Sequence, residues 1–203
     1  MDNGVEHYKQ LLPYREMVVG IGLDSVETGR PPLLFEPLFS MARKDGFKIT
    51  CHCDIGQKDT ISNIGEVVEK IGGGSGADRC DHGISAARDP TLVRKLAAHG
   101  TGMTLCPWGY VRFAAATESD IPGKIRLLFD SGIKITINSD DPGYMDDIWL
   151  EQSIHLVRKH CDFTDDEIVQ LQLNAVDICW ASDAIKLDLR RQIEEFGARS
   201  GRK

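Results

Sequence analysis

The sequence has no apolar run near the ~18–20 consecutive residues that a bilayer crossing requires. Its opening, MDNGVEHYKQ, lacks the basic-then-apolar pattern of a secretory leader. A soluble, cytoplasmic protein without a membrane partner is the expectation. Positive charge is also scarce: 24 Lys and Arg stand against 31 Asp and Glu, a formal charge of −7. That excludes the basic footprint with which proteins grip a phosphate backbone, so no nucleic-acid polymer is expected as a partner. No CxxC spacing occurs among Cys51, Cys53, Cys80, Cys106, Cys161 and Cys179, which sit mostly in apolar runs and read as reduced, small core residues. Neither GxGxxG nor GxxxxGK[ST] is present, which removes the usual phosphate-cradling loops. Glycine and serine cluster only at 72–76 (GGGSG), read as a flexible insertion, so no linker divides the chain.

What is present is 203 residues, 41% hydrophobic, enough for one packed domain. From residue 17 onward short β-branched runs alternate with amphipathic segments. Strands are expected at 17–24, 47–53, 79–83, 102–107 and 134–140. Helices are expected at 32–45, 61–71, 90–99, 122–131, 146–159, from 165 to about 181, and at 190–196. Asp59 and Asp89 stand at cap positions, and Thr164-Asp165-Asp166-Glu167 has the spacing of a capping box. Strand–helix alternation implies an α/β fold with a parallel sheet, because parallel neighbours need long crossovers. Two architectures fit: an open doubly wound sheet, or part of a (β/α)8 barrel, whose complete form takes about 250 residues.

Parallel folds gather functional side chains at the carboxyl ends of their strands. Here those ends read Asp24-Ser25-Val26-Glu27, His52-Cys53-Asp54, Asp81-His82-Gly83, Cys106-Pro107-Trp108 and Asn138-Ser139-Asp140-Asp141-Pro142. Two histidines and several carboxylates converging on one rim suit a divalent cation such as zinc. Strand alternation turns Cys51 and Cys53 away from His52, so those thiols are not expected to share its site.

GIGLDSVETGRPP (20–32), ITCHCD (49–54), RCDHG (79–83), TLCP (104–107) and ITINSDDPGYM (135–145) together resemble successive motifs of the adenosine/adenine deaminase family. That family consists of zinc hydrolases on a (β/α)8 barrel. The resemblance implies a partial barrel, about strands 4 to 8 with carboxyl-terminal helices, formed by residues 1–203 as one domain lacking the amino-terminal part of the barrel. It implies hydrolytic deamination of a purine base or nucleoside, with zinc as cofactor. By motif, His52 and Asp140 become metal ligands and His82 orients the attacking hydroxide. Asp141 meets the purine N7, and Glu27 meets the base edge.

The sequence departs from the family in two places. The family's first strand supplies an HxH ligand pair, whereas no two of His7, His52, His82, His99, His155 and His160 are separated by one residue. The family's HAGE, whose glutamate protonates the purine ring, is replaced by His52-Cys53-Asp54-Ile55; Asp54 is the nearest substitute acid. In addition, Trp108-Gly109-Tyr110 stands where relatives often carry a Ser-Asn pair. An alternative function follows: a catalytically inactive, truncated or diverged paralogue that acts by association with another chain, with self-association through exposed sheet edges expected. His7, His99, His155 and His160 read as surface residues, and Trp180 and Phe196 as core or half-barrel contacts.

Overall fold

The stretch KITCHC alternates as its sequence suggests: Ile49, Cys51 and Cys53 are buried on one face while Thr50 and His52 are half-buried on the other. It is one of five strands in a computed structural model that describes residues 2–53, 55–114 and 119–199. The strands are β1 (Gly20–Leu23), β2 (Lys48–Cys53), β3 (Arg79–His82), β4 (Gly102–Leu105) and β5 (Ile135–Ile137). The helices are α1 (Asp2–Leu11), α2 (Glu36–Lys44), α3 (Thr60–Glu69), α4 (Pro90–His99), α5 (Pro107–Gly109), α6 (Ile121–Asp130), α7 (Leu150–His160), α8 (Asp165–Ile178) and α9 (Asp183–Arg199).

All four strand pairings are parallel and the order is β1-β2-β3-β4-β5. A doubly wound sheet reverses its order at a switch point. This one never does, so it is an arc of a (β/α) barrel. The outward strand residues Ile49, Cys51, Cys80, Met103, Leu105 and Ile135 form one core with helix residues such as Ile64, Val67, Leu96 and Leu128. The inner face is polar. Asp81 accepts hydrogen bonds from the hydroxyls of Thr50 (2.6 Å) and Thr104 (2.7 Å), tying β2, β3 and β4 together. At the amino ends of the strands, the last residue of α8 and the segment after it pack onto this face at two glycines. A Cβ at Gly102 would stand 2.7 Å from Ile178 Cγ2, and one at Gly20 2.6 Å from Trp180 Cζ3. The Arg79 guanidinium lies 3.7 Å over the Trp180 ring.

Several expectations need correction. The helix expected at 146–159 starts only at Leu150, because Asp146 (φ 58°) and Asp147 (φ 57°) are left-handed and cannot continue a helix. The segment expected at 190–196 is the later part of the 17-residue α9, and Phe196 is 69% exposed rather than a core contact. Asp89 caps α4 through bonds from Thr91 and Leu92 N–H, but Asp59 makes no such side-chain bond at the start of α3. The GGGSG run is a bonded turn: Gly73 N–H donates to Glu36 Oε1, and Arg43 donates to Ser75 Oγ and the Gly76 carbonyl. His7, His99, His155 and His160 are exposed. No described helix is long and apolar enough to cross a membrane.

Candidate active site

Three residues at the carboxyl ends of the strands, Ser25 (φ 78°), His82 (φ 61°) and Asp140 (φ 61°), hold left-handed backbone conformations that non-glycine residues rarely adopt. The effect is clearest at His82. Period-2 alternation from Asp81 would send its ring to the helix side; the left-handed step, continued by Gly83 (φ 66°), turns the chain at the strand end. The ring faces the inner rim, edge-on to His52 with centroids 4.5 Å apart. A cleft of about 500 Å³ opens above the strands, lined by Asp24, Ser25, His52, Ile55, His82, Tyr110, Asp140 and Asp141 with their neighbours.

His52 Nδ1 lies 2.6 Å from Oε1 of Glu27, which is only 9% exposed. With the carboxylate accepting, Nδ1 carries the hydrogen and Nε2 is left with the lone pair, the arrangement that orients metal-binding histidines. His82 Nδ1 is 3.2 Å from the Tyr110 hydroxyl, and that hydroxyl accepts the Cys106 backbone N–H at 2.9 Å. The opposite ring nitrogen, Nε2, stands 3.8 Å from Asp140 Oδ2. Burial holds the Cys106 thiol well above its ordinary pKa, and the Asp140 and Asp81 carboxylates push it further the same way. Imidazole nitrogens, a carboxylate behind one of them and a half-buried Asp140 are a donor set that fits a zinc-like divalent ion.

Of the residues singled out from the sequence, His52, His82, Asp140 and Asp141 line one cleft. Glu27 sits behind His52 and lines an adjoining pocket with Arg30 and Phe35. Asp141 is exposed, and its backbone carbonyl accepts from Tyr144 and Met145 N–H. Asp54 lies outside the described residues, while Ile55 lines the cleft. Sequence reasoning missed Tyr110 and Cys106 as site residues. Alternation puts Cys106 on the face of Thr104 and could have found it; nothing in the sequence brings Tyr110 back to His82. A second cavity, of about 620 Å³, lies at the opposite strand ends. Its charges are engaged in ion pairs, Arg43 and Lys48 both with Asp78 and Lys134 with Asp177, and it sits at the end of the barrel where catalysis is not found.

Against known proteins, the family model described as adenosine deaminase matches residues 4–196. An uncharacterised deaminase of Schizosaccharomyces pombe is 37% identical over 186 residues, covering 90% of this chain and 52% of that protein. The adenine deaminase of Wolinella succinogenes is 35% identical over 190 residues, covering 94% and 55%. Among solved structures, an adenine deaminase from Arthrobacter aurescens superposes with a TM-score of 0.84 at 30% identity, covering 97% of this chain and 58% of that one. An amidohydrolase from Burkholderia ambifaria with bound Zn gives 0.82 at 28% identity, covering 96% and 52%. The chain spans about half the length of the curated relatives it matches.

Proposed function

This chain belongs to the adenosine deaminase family, and we propose that residues 1–203 act as one unit, the half of a purine-deaminating barrel that faces the substrate. The observation that carries the reading is the single cleft in which His52, backed by Glu27, meets His82 and Asp140. In the assembled site, His52 Nε2 and the Asp140 carboxylate would hold the zinc, which when bound would supply the activation of water for attack on a carbon bearing an amino group. His82 orients the attacking oxygen and stabilises the charge that develops on it. Glu27 fixes the His52 ring, and its pocket receives the base edge; Asp141 takes the purine edge bearing N7. The substrate is a small aminopurine, base or nucleoside, and the product of the leaving group is ammonia. Free cysteines throughout the described chain suit a reducing, cytoplasmic setting.

Ile55 favours a second reading. It lines the cleft where the family places its proton-donating glutamate, and a sec-butyl side chain moves no proton. On this reading the arc is catalytically silent and works by associating with another chain, its own copy included.

One experiment separates the two. The amino-terminal portion of the Wolinella succinogenes adenine deaminase that this chain does not match is fused ahead of this chain, loaded with zinc, and assayed for ammonia release from adenine and adenosine. The expected outcome is turnover by the fusion that falls by at least about 100-fold in His82→Ala and, in a separate variant, rises toward family rates with Ile55→Glu. A folded, zinc-loaded fusion that releases no ammonia, with or without Ile55→Glu, rejects deamination and leaves the silent reading.

A further inference from the structure

His82, Cys106 and Asp140 come from the ends of three adjacent strands, β3, β4 and β5. They offer an imidazole nitrogen, a thiol sulfur and a carboxylate oxygen that all lie within 4.8 Å of one another. Tetrahedral zinc, with bonds of roughly 2.0–2.3 Å, spaces its donors on the order of 3.5 Å apart, so small side-chain rotations close the remaining distance. His82 and Cys106 are buried and held by packing, while Asp140 is half-buried with one side toward the cleft. The His82 tautomer that donates Nδ1–H to the Tyr110 oxygen leaves Nε2 facing Asp140 with its lone pair.

We propose that this chain by itself binds one zinc-class divalent cation through His82 Nε2, Cys106 Sγ and a carboxylate oxygen of Asp140. The site has three protein donors, the number an open zinc site needs, and it uses none from an HxH pair. It shares Asp140 with the His52–Asp140 pair assigned above but does not rest on that reading, because it takes Cys106 and His82 in place of His52. When the ion enters, the sulfur–hydrogen bond is exchanged for a sulfur–metal bond and the proton leaves to solvent. An ion held there occupies His82 Nε2, so the same nitrogen cannot at that moment face a reacting group.

Cobalt(II) added to the full chain is the probe, because sulfur ligation gives a thiolate-to-cobalt charge-transfer band and tetrahedral geometry gives intense visible bands. The expected result is one equivalent bound with both signatures. Cys106→Ser loses the charge-transfer band and binds at least about tenfold more weakly, His82→Ala binds about as weakly, and His52→Ala keeps the band. X-ray absorption on the zinc-loaded, unmutated chain, independent of any variant's folding, is expected to show one sulfur scatterer at about 2.3 Å. Bound zinc with no sulfur neighbour overturns the proposal, as does a charge-transfer band that survives Cys106→Ser. Failure of the fusion to release ammonia leaves these spectra unchanged, so the two proposals fail separately.

Discussion

Tyr110 satisfies two groups with one oxygen. It is 1% exposed, and its hydroxyl accepts the Cys106 N–H while lying 3.2 Å from His82 Nδ1. Tyr110→Phe leaves the packing volume almost intact but removes the acceptor of a buried amide. A buried donor left unmet costs about 1–3 kcal/mol. The urea midpoint is therefore expected to fall by that equivalent, and a midpoint unchanged from the parent would show that the Cys106 amide finds another acceptor. His82, Asp140 and Asp141 were legible from the sequence because they stand in short polar runs after β-rich segments. The contact of Tyr110 was not, because it depends on how the chain leaves β4 through α5 and turns back, a path that period-2 or period-3.6 patterning does not describe. The left-handed steps at His82 and Asp140 were equally hidden, since side-chain type does not announce them at a residue other than glycine.

At the scale of elements, local rules were legible where a side chain bonds to its own helix. Thr164 and Glu167 close α8 reciprocally: Thr164 Oγ1 accepts from Glu167 N–H, and Glu167 Oε2 accepts from Thr164 N–H at 2.9 Å. Arg126 of α6 reaches the other oxygen of Glu167 at 2.5 Å, and this partner, ahead of the Thr164 amide, lowers the carboxyl to a pKa of about 2. Thr164→Ala is expected to cost about 1 kcal/mol in urea unfolding at neutral pH. The linkage of Glu167 has a definite sign. Its folded pKa lies below the unfolded value near ~4.3, so its contribution is complete above that value and is lost as pH falls through about 2. Glu167→Gln should melt below the parent at neutral pH, and the gap should close as pH is lowered toward 2. A gap independent of pH would place the stabilisation in packing instead. The start of α7 was not legible for a related reason: the pair Asp146 and Asp147 looks like a helix start, but both backbones are left-handed and their carboxylates pair with the Arg112 guanidinium and the Trp149 indole N–H instead.

For the whole molecule, the decisive property is that the arc has two different edges. On β5, Asn174 of α8 donates its side-chain amide to the Ile135 carbonyl at 3.1 Å, occupying an acceptor that a further strand would use. Among the described residues, no side chain is seen to bond the outward backbone groups of the β1 edge in this way. Lys48 N–H bonds to the Val19 carbonyl, so in a parallel ladder Val19 and Ile21 face β2, and Gly20 and Gly22 turn their backbone groups outward. Met17 (83% exposed) and Val19 (61%) flank this open edge with apolar side chains. Unpaired, uncharged strand edges recruit other strands. The chain is therefore expected to associate in a concentration-dependent way in sedimentation velocity, and Val19→Lys, which sets a charge on the edge without touching the core, should shift it toward monomer. Asn174→Ala should do the opposite by uncovering β5, at a cost of about 1 kcal/mol for the lost bond to Ile135. If the unmutated chain sediments as a monomer across the accessible concentration range, the β1 edge is closed by something other than a second strand, and association ceases to explain how half a barrel stands in water.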